Sequence, residues 1–169
     1  DQLTDKVLPD GSIRRAFLLL VGPFEQALDP LPSSVVTFLE KDKRVILAGF
    51  QRDVRPWMMA SDIFVFPSYR EGFPNVVMQA CLLRVPVIVS DINGCNELIH
   101  HNVSGLVVPP KDVQALQNAM SVLLEDESKR KLFSTAAHDF VFTNFQREVV
   151  WEEIRREYER MREGIGYKE

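Results

Sequence analysis

Five short apolar runs limit what this chain can fold into more than any other feature. Phe17–Val21 (FLLLV) stops at Gly22, Val45–Ala48 (VILA) at Gly49, and Ile63–Phe66 (IFVF) at Pro67. Val87–Val89 (VIV) leads into Ser90-Asp91, and Leu106–Val108 (LVV) stops at Pro109-Pro110. Each run is too short for a helix and rich in β-branched or aromatic residues. None alternates apolar with polar. A strand that does not alternate has no solvent face, which is the condition inside a parallel sheet. Helical patterns lie between the runs, at Pro32–Glu40, Arg55–Ala60, Pro74–Arg84 and Val113–Leu124, the last with Asp112 as its N-cap. Strand, loop and helix in repetition predict an α/β fold, a parallel sheet with helices on both faces.

Beyond Asp126 the strand signals end, and Ser128–Phe142 and Gln146–Arg162 both read as helices. Three regions follow: residues 1–15, unassigned apart from a turn at Pro9-Asp10-Gly11; residues 16–125, the α/β domain; and residues 126–169, helices packing on that domain or beyond it. The last helix carries Val149, Val150, Ile154 and Tyr158 at helical spacing, with Trp151 beside them. These are expected to form a packed stripe under a solvated charged face.

Composition removes several function classes. The 169 residues carry 20 Lys and Arg against 24 Asp and Glu, a net charge of −4. That balance lacks the basic footprint of a nucleic-acid binder, so no nucleic-acid partner is expected. No apolar run nears the roughly 20 residues that span a bilayer, and membrane contact is expected to be peripheral at most. Asp1–Gly11 lacks the basic-then-apolar pattern of a secretory signal, and Cys81 and Cys95 do not form a Cys-x-x-Cys pair. A reducing, cytoplasmic setting is expected. The chain does not begin with Met and is read as a fragment.

Ligands of open α/β sheets bind at the carboxyl ends of the strands. The loops there are Gly22–Glu25, Gly49–Asp53, Pro67–Phe73 and Asp91–Glu97. All four contain glycine, which alone means a turn and together at one edge points to a ligand approaching the main chain. The third loop runs straight into a helix at Pro74, and the N–H groups of Asn75 and Val76 are then expected to leave the helix N-terminus free as an anion site. Glu71 sets a carboxylate beside it. A carboxylate is out of place if phosphate is the whole ligand, and in place if the ligand carries both phosphate and hydroxyls, as a nucleotide sugar does. Asn75 and Gln79, four apart, share one helix face and can serve hydroxyls, unless that face is simply solvated.

The stretch Phe66-Pro67-Ser68-Tyr69-Arg70-Glu71-Gly72-Phe73-Pro74-Asn75, with Gln79 beyond it, resembles the donor-binding domain of retaining GT-B glycosyltransferases of family four. Gly22, Gly49-Phe50, Val85–Asp91, Asn93-Gly94…Glu97 and Asn102…Gly105–Pro110 match as well, so the likeness runs from about Phe17 to Leu124. The resemblance implies a Rossmann-like sheet, the C-terminal half of a GT-B fold. It implies that Glu71 bonds the donor sugar and is the catalytic carboxylate, in an electrostatic and positioning role and not as a nucleophile. Gly72, Phe73 and Asn75 would present backbone groups to sugar and diphosphate, Gly49, Phe50 and Gln51 would line the base, and Gly22 would belong to the same donor site. Gln79 stands where the family commonly has a second glutamate for the ribose; it keeps a donor and an acceptor but not the charge. No metal and no cofactor is implied, the nucleotide sugar being substrate.

Two further departures are expected to matter. Nothing before Phe17 matches the family's opening strand and its basic diphosphate clamp; Lys6, Arg14 and Arg15 are basic but out of that context. The family's N-terminal acceptor domain is also absent, so that domain or a partner chain is an expected partner and the isolated chain is expected to be inactive. The functional expectation is transfer of a hexose, with retention, in bacterial capsular or lipopolysaccharide synthesis, at the inner face of the membrane in the full-length enzyme. The alternatives are a non-catalytic sugar-nucleotide-binding or assembly module, and half of a GT-B sugar-nucleotide epimerase.

Other signals carry less. Glu97, His100 and His101 have metal-ligand spacing but no fourth candidate ligand, so they are not read as a metal site. Cys81 reads as a small core residue, and Cys95, in a ligand-side loop, as open to thiol reagents without a catalytic role. Trp151 reads as packing rather than as a sugar platform.

Overall fold

The computed structural model describes residues 6–7, 13–24 and 30–165, with side chains at 6–7, 13–14 and 163–165 outside the description. The turn read at Pro9-Asp10-Gly11, and the side chains of Lys6 and Arg14, therefore lie outside the described part. The chain divides into two compact units, Asp1–Trp57 and Met58–Glu169.

In the first unit, β1 (Lys6–Val7) and β2 (Ile13–Arg14) form a short antiparallel ladder that the sequence patterns do not announce. β3 (Leu18–Val21) and β4 (Val45–Gly49) pair in parallel, with Leu18 opposite Val45 and a register shift between Leu20 and Val21. α1 (Ser33–Lys41) packs on β4 and buries Leu39. After α1, Arg44 folds back on Asp42 through Nε to Oδ1 at 3.2 Å and Nη2 to Oδ2 at 3.0 Å. These bonds hold the Asp42 carboxyl below its ordinary value. Coverage on both faces, expected for every strand, does not hold here. Ile46 and Leu47 of β4 are 46% and 39% exposed. A neighbouring strand covers an edge and not a face, and α1 is the helix seen to pack on this ladder, so the apolar run of β4 does not by itself bring cover to both faces. α2 (Arg55–Met59) follows and straddles the division between the units.

The second unit holds the main described core. β5 (Phe64–Phe66), α3 (Asn75–Leu82), β6 (Val87–Ser90), α4 (Cys95–Leu98), β7 (Leu106–Val108) and α5 (Val113–Glu125) alternate as strand and helix. The parallel order is β5-β6-β7, with Phe64 opposite Val87 and Ile88 opposite Leu106. β6 is central, and all four of its residues are buried, as its apolar run predicts. Ile88, Leu106, Val108, Ala119, Leu123 and Phe133 form the core, with Ile63 and Val65 against it. The observed strands lie within a residue or two of the five runs, so the predicted α/β class with parallel strands flanked by helices is the observed one.

Capping explains the helix starts. Asp112 accepts from Ala115 N–H at 2.9 Å at the head of α5, as expected. Asp126 ends α5 and begins α6 (Glu127–Asn144), accepting from Lys129 N–H at 2.8 Å. One residue thus turns the chain between two helices. α6 packs on α3 and α5 and contributes Phe133, Ser134, Ala137 and Val141 to the interior.

α7 (Arg147–Ile165) departs from expectation. Val149, Val150 and Ile154 are 39%, 38% and 41% exposed, and Trp151 and Tyr158 are exposed by more than half. The stripe is therefore partly exposed, and none of its residues joins the buried core. Pairs within the helix accompany it: Arg155 to Glu152 at 2.6 Å, Arg156 to Glu153 at 2.8 Å and Arg160 to Glu157 at 2.6 Å. Helical spacing collects apolar side chains on one face without supplying a surface to cover it.

Candidate functional site

In the second unit the loop between β5 and α3 carries the signature residues, and the backbone explains its form. Pro74 takes φ −79° and ψ 99°, the extended conformation of an N-cap, and α3 begins at Asn75. No side chain caps this terminus. Val77 and Met78 donate to the Pro74 carbonyl at 3.0 and 3.3 Å, while the N–H groups of Asn75 and Val76 have no partner among the described residues. Two unsatisfied donors at the positive end of a helix are what an anion needs. Above Gly72 an added Cβ would meet nothing within 4 Å, so the main chain here is open to a ligand.

Glu71 is half-buried, three residues before the helix N-cap Pro74. Ser68 Oγ donates to its Oε1 at 2.8 Å. The carboxylate also acts on Cys95. That side chain is fully buried, and its thiol is pushed up to about 11, first by burial and second by the negative charge of Glu71. Cys95 is thus closed to solvent and held neutral, which corrects the expectation that it is open to thiol reagents. Cys81 is buried as expected, its thiol pushed up to about 12 by burial. Asn75 is exposed and Gln79 half-buried one turn along α3.

The loop between β6 and α4 braces this arrangement. Gly94 has φ +79°, and a Cβ there would run into the Gly72 carbonyl oxygen and lie 3.0 Å from Pro74 Cδ. Only glycine permits that approach. Gly94 N–H donates to Glu97 Oε1 at 3.2 Å, which gives Glu97 a structural task. Phe73 rests on Phe145 with ring centroids 5.2 Å apart, and Phe145 meets Phe140 at 5.9 Å. The junction of α6 and α7 thereby supports the loop from another side. Tyr69, exposed on the same loop, lies under Lys111 Nζ at 5.3 Å.

In the first unit the other candidate residues gather at the carboxyl end of the β3–β4 ladder. Gly22 N–H donates to the Gly49 carbonyl at 2.8 Å. Gly49 takes φ +63°, which turns the chain out of β4 into Phe50. Phe50 is 77% exposed. Gln51 Nε2 donates back to the Ala48 carbonyl at 2.7 Å. Gly22, Gly49, Phe50 and Gln51 thus form one cluster, and Glu71, Gly72, Phe73, Asn75 and Gln79 form another, each within its own unit.

His100 and His101 have local roles. His101 Nδ1 accepts from Val107 N–H at 3.0 Å, and His100 stands edge-on to Phe140 at 4.8 Å. Among the described residues no group of three or more His, Cys, Asp and Glu side chains is placed to hold a metal ion. No helix among them is long and apolar enough to cross a membrane.

Sequence reasoning passed over three participants. Ser68 was visible as a hydroxyl three residues before a carboxylate, a spacing that favours a local bond. Gly94 and Phe145 carry no such signal, because their contacts join segments far apart in the chain.

Comparison with known proteins places this geometry. Residues 2–126 match the family described as glycosyl transferases group 1. The capsular polysaccharide biosynthesis glycosyltransferase CapM of Staphylococcus aureus is 30% identical over 141 residues, covering 83% of this chain and 37% of CapM. An N,N'-diacetylbacillosaminyl-diphospho-undecaprenol alpha-1,3-N-acetylgalactosaminyltransferase of Campylobacter jejuni is 36% identical over 131 residues, covering 74% of this chain and 32% of the relative. Among solved structures, HepE of Anabaena in complex with UDP superposes with a TM-score of 0.71 at 25% identity, covering 85% of this chain and 41% of HepE. Sucrose-phosphate synthase of Thermosynechococcus elongatus superposes with a TM-score of 0.74 at 28% identity, covering 87% of this chain and 39% of the synthase. The chain spans about a third of the length of the curated relatives it matches. With its parallel α/β architecture and a family match over residues 2–126, the chain belongs to the glycosyl transferases of group 1.

Proposed function

We propose that this chain is the donor-binding part of a retaining GT-B glycosyltransferase of family four, which moves a hexose from a nucleoside diphosphate sugar to an acceptor in bacterial capsular or lipopolysaccharide synthesis. The observation that carries this reading is the Glu71–Pro74 loop, where a half-buried carboxylate stands directly before an uncapped helix N-terminus. The helix end suits a diphosphate and the carboxylate suits sugar hydroxyls. The complex of HepE with UDP and glucose, at 25% identity, supports a ligand of that class. Names such as CapM support the polysaccharide setting.

In this reading Glu71 accepts from donor-sugar hydroxyls and stabilises charge near the reacting carbon. Gly72, Phe73 and Asn75 offer main-chain groups to sugar and diphosphate, and Gln79 serves the ribose. Gly22, Gly49, Phe50 and Gln51 serve the base. As the diphosphate leaves, its charge meets the Asn75 and Val76 N–H groups and the α3 dipole, and no resident metal or cofactor is invoked. Residues acting on the acceptor come from a further domain or partner chain, so the chain alone binds donor and transfers little or nothing. The full enzyme is placed in the cytoplasm, at the inner face of the membrane. A non-catalytic sugar-nucleotide-binding module is the second reading, favoured by glutamine rather than glutamate at position 79.

Calorimetry of the chain with UDP, GDP, ADP and their hexose conjugates tests the first reading. Selective binding of one base supports it, and no binding by the folded chain sinks it. Glu71→Ala should weaken the sugar nucleotide by about 2 kcal/mol, the worth of a hydrogen bond to a charged group, and leave the bare diphosphate nearly unchanged. Equal losses for both would remove Glu71 from the sugar. Adding the acceptor half separates enzyme from module: transfer activity appears only for the enzyme.

A further inference from the structure

We propose that Ser68 is a positioning residue for Glu71, its hydroxyl holding one carboxylate oxygen so that the other is presented to the donor sugar. This inference rests on the reading of Glu71 as the sugar-binding carboxylate. Ser68 Oγ lies 2.8 Å from Glu71 Oε1 and 3.4 Å from the Arg70 carbonyl. A serine hydroxyl has one proton, and the shorter contact to a charged oxygen takes it. Ser68 is the one hydrogen-bond donor that reaches this carboxylate among the described residues.

The other surroundings of Glu71 cannot do this work. Cys95 nearby is a buried, neutral thiol, a weak donor, and no cation is paired with Glu71 among the described residues. The main chain is fixed independently, by Gly94 packed against the Gly72 carbonyl. What remains free is the glutamate side chain itself, with three torsions to order when a sugar arrives. Ordering it in advance lowers the entropy lost on binding. The bond spans three residues of one loop, so it forms wherever the loop forms.

The test uses the full chain, with UDP and UDP-glucose, or the GDP pair if the wild type binds that base. Ser68→Ala is expected to weaken the sugar nucleotide about tenfold and the bare diphosphate less than twofold. Ser68→Thr should restore wild-type affinity, and Ser68→Val, its isostere without the hydroxyl, should not. In a Glu71→Ala background, Ser68→Ala should have no further effect. Thermal midpoints of all variants show whether each is folded, and the Thr/Val pair decides should Ser68→Ala fail to fold. Wild-type affinity in Ser68→Ala or Ser68→Val, equal loss of both ligands, or additivity with Glu71→Ala would overturn the proposal. If Glu71→Ala itself leaves sugar-nucleotide binding untouched, the reading of Glu71 fails, and this inference falls with it. If Glu71→Ala weakens binding while Ser68 variants do not, the inference alone fails.

Discussion

The charge of Glu71 acts on the buried thiol of Cys95. Burial and the carboxylate charge together lift the Cys95 thiol to about 11 from its ordinary 9.0, and burial lifts Cys81 to about 12. The folded protein therefore keeps protons that the unfolded chain releases above about pH 9. Stability is full below that pH and falls as pH rises through 9 toward 11, by at most about 1.4 kcal/mol per pH unit for each thiol. Denaturant unfolding at pH 8 and pH 10 should show the decline, and Cys95→Ala should reduce it to about half, the share of Cys81 remaining; a curve that is level across this range contradicts the burial. Gln79 offers a second residue-scale check. A neutral hydrogen bond to ribose predicts that Gln79→Ala weakens nucleotide and sugar nucleotide alike, by about 1 kcal/mol. Calorimetry showing no change in either would take Gln79 out of the site.

Asp126 matters as a junction between elements. It closes α5 and opens α6, whose inner face carries Phe133, Ala137 and Val141 into the interior. Asp126→Ala removes the acceptor for Lys129 N–H and is expected to cost about 1 kcal/mol, with Asp126→Asn close to wild type. Urea melts of the two variants measure the difference. Among the loops, the Glu71–Pro74 segment is held by the β6–α4 loop on one side and by Phe145 on another, so its shape belongs to three elements at once.

At the scale of the whole molecule, the second unit draws its stability from the β5-β6-β7 sheet and from α5 and α6, while no described side chain of α7 is itself buried. Ending the chain after Gln146, which keeps Phe145, should therefore change the unfolding free energy by less than about 0.5 kcal/mol. A larger loss would mean that α7 has a partner surface in solution. The exposed face of Val150, Ile154 and Tyr158 makes this the element whose environment differs most from expectation.

Local signals were enough for local structure. Runs such as Val87–Val89 identified strands, Asp112 and Pro74 marked helix starts, and Glu71-Gly72 beside Pro74 marked the candidate anion and hydroxyl site, because each depends on neighbours within a turn or a strand. The residues of that site were legible as a motif, and Ser68 nearly so, its bond to Glu71 spanning three positions. The short helix α4 and the β1–β2 ladder were not, being too brief for a period to show. Division into two units, the exposure of Ile46 and Leu47 on β4 and the partly exposed stripe of α7 depend on which surfaces meet, and periodicity says only that a face is apolar. Gly94 against Gly72 is the sharpest case: 22 positions separate two glycines that each read alone as turns, and only folding brings one backbone against the other and fixes the main chain beside Glu71.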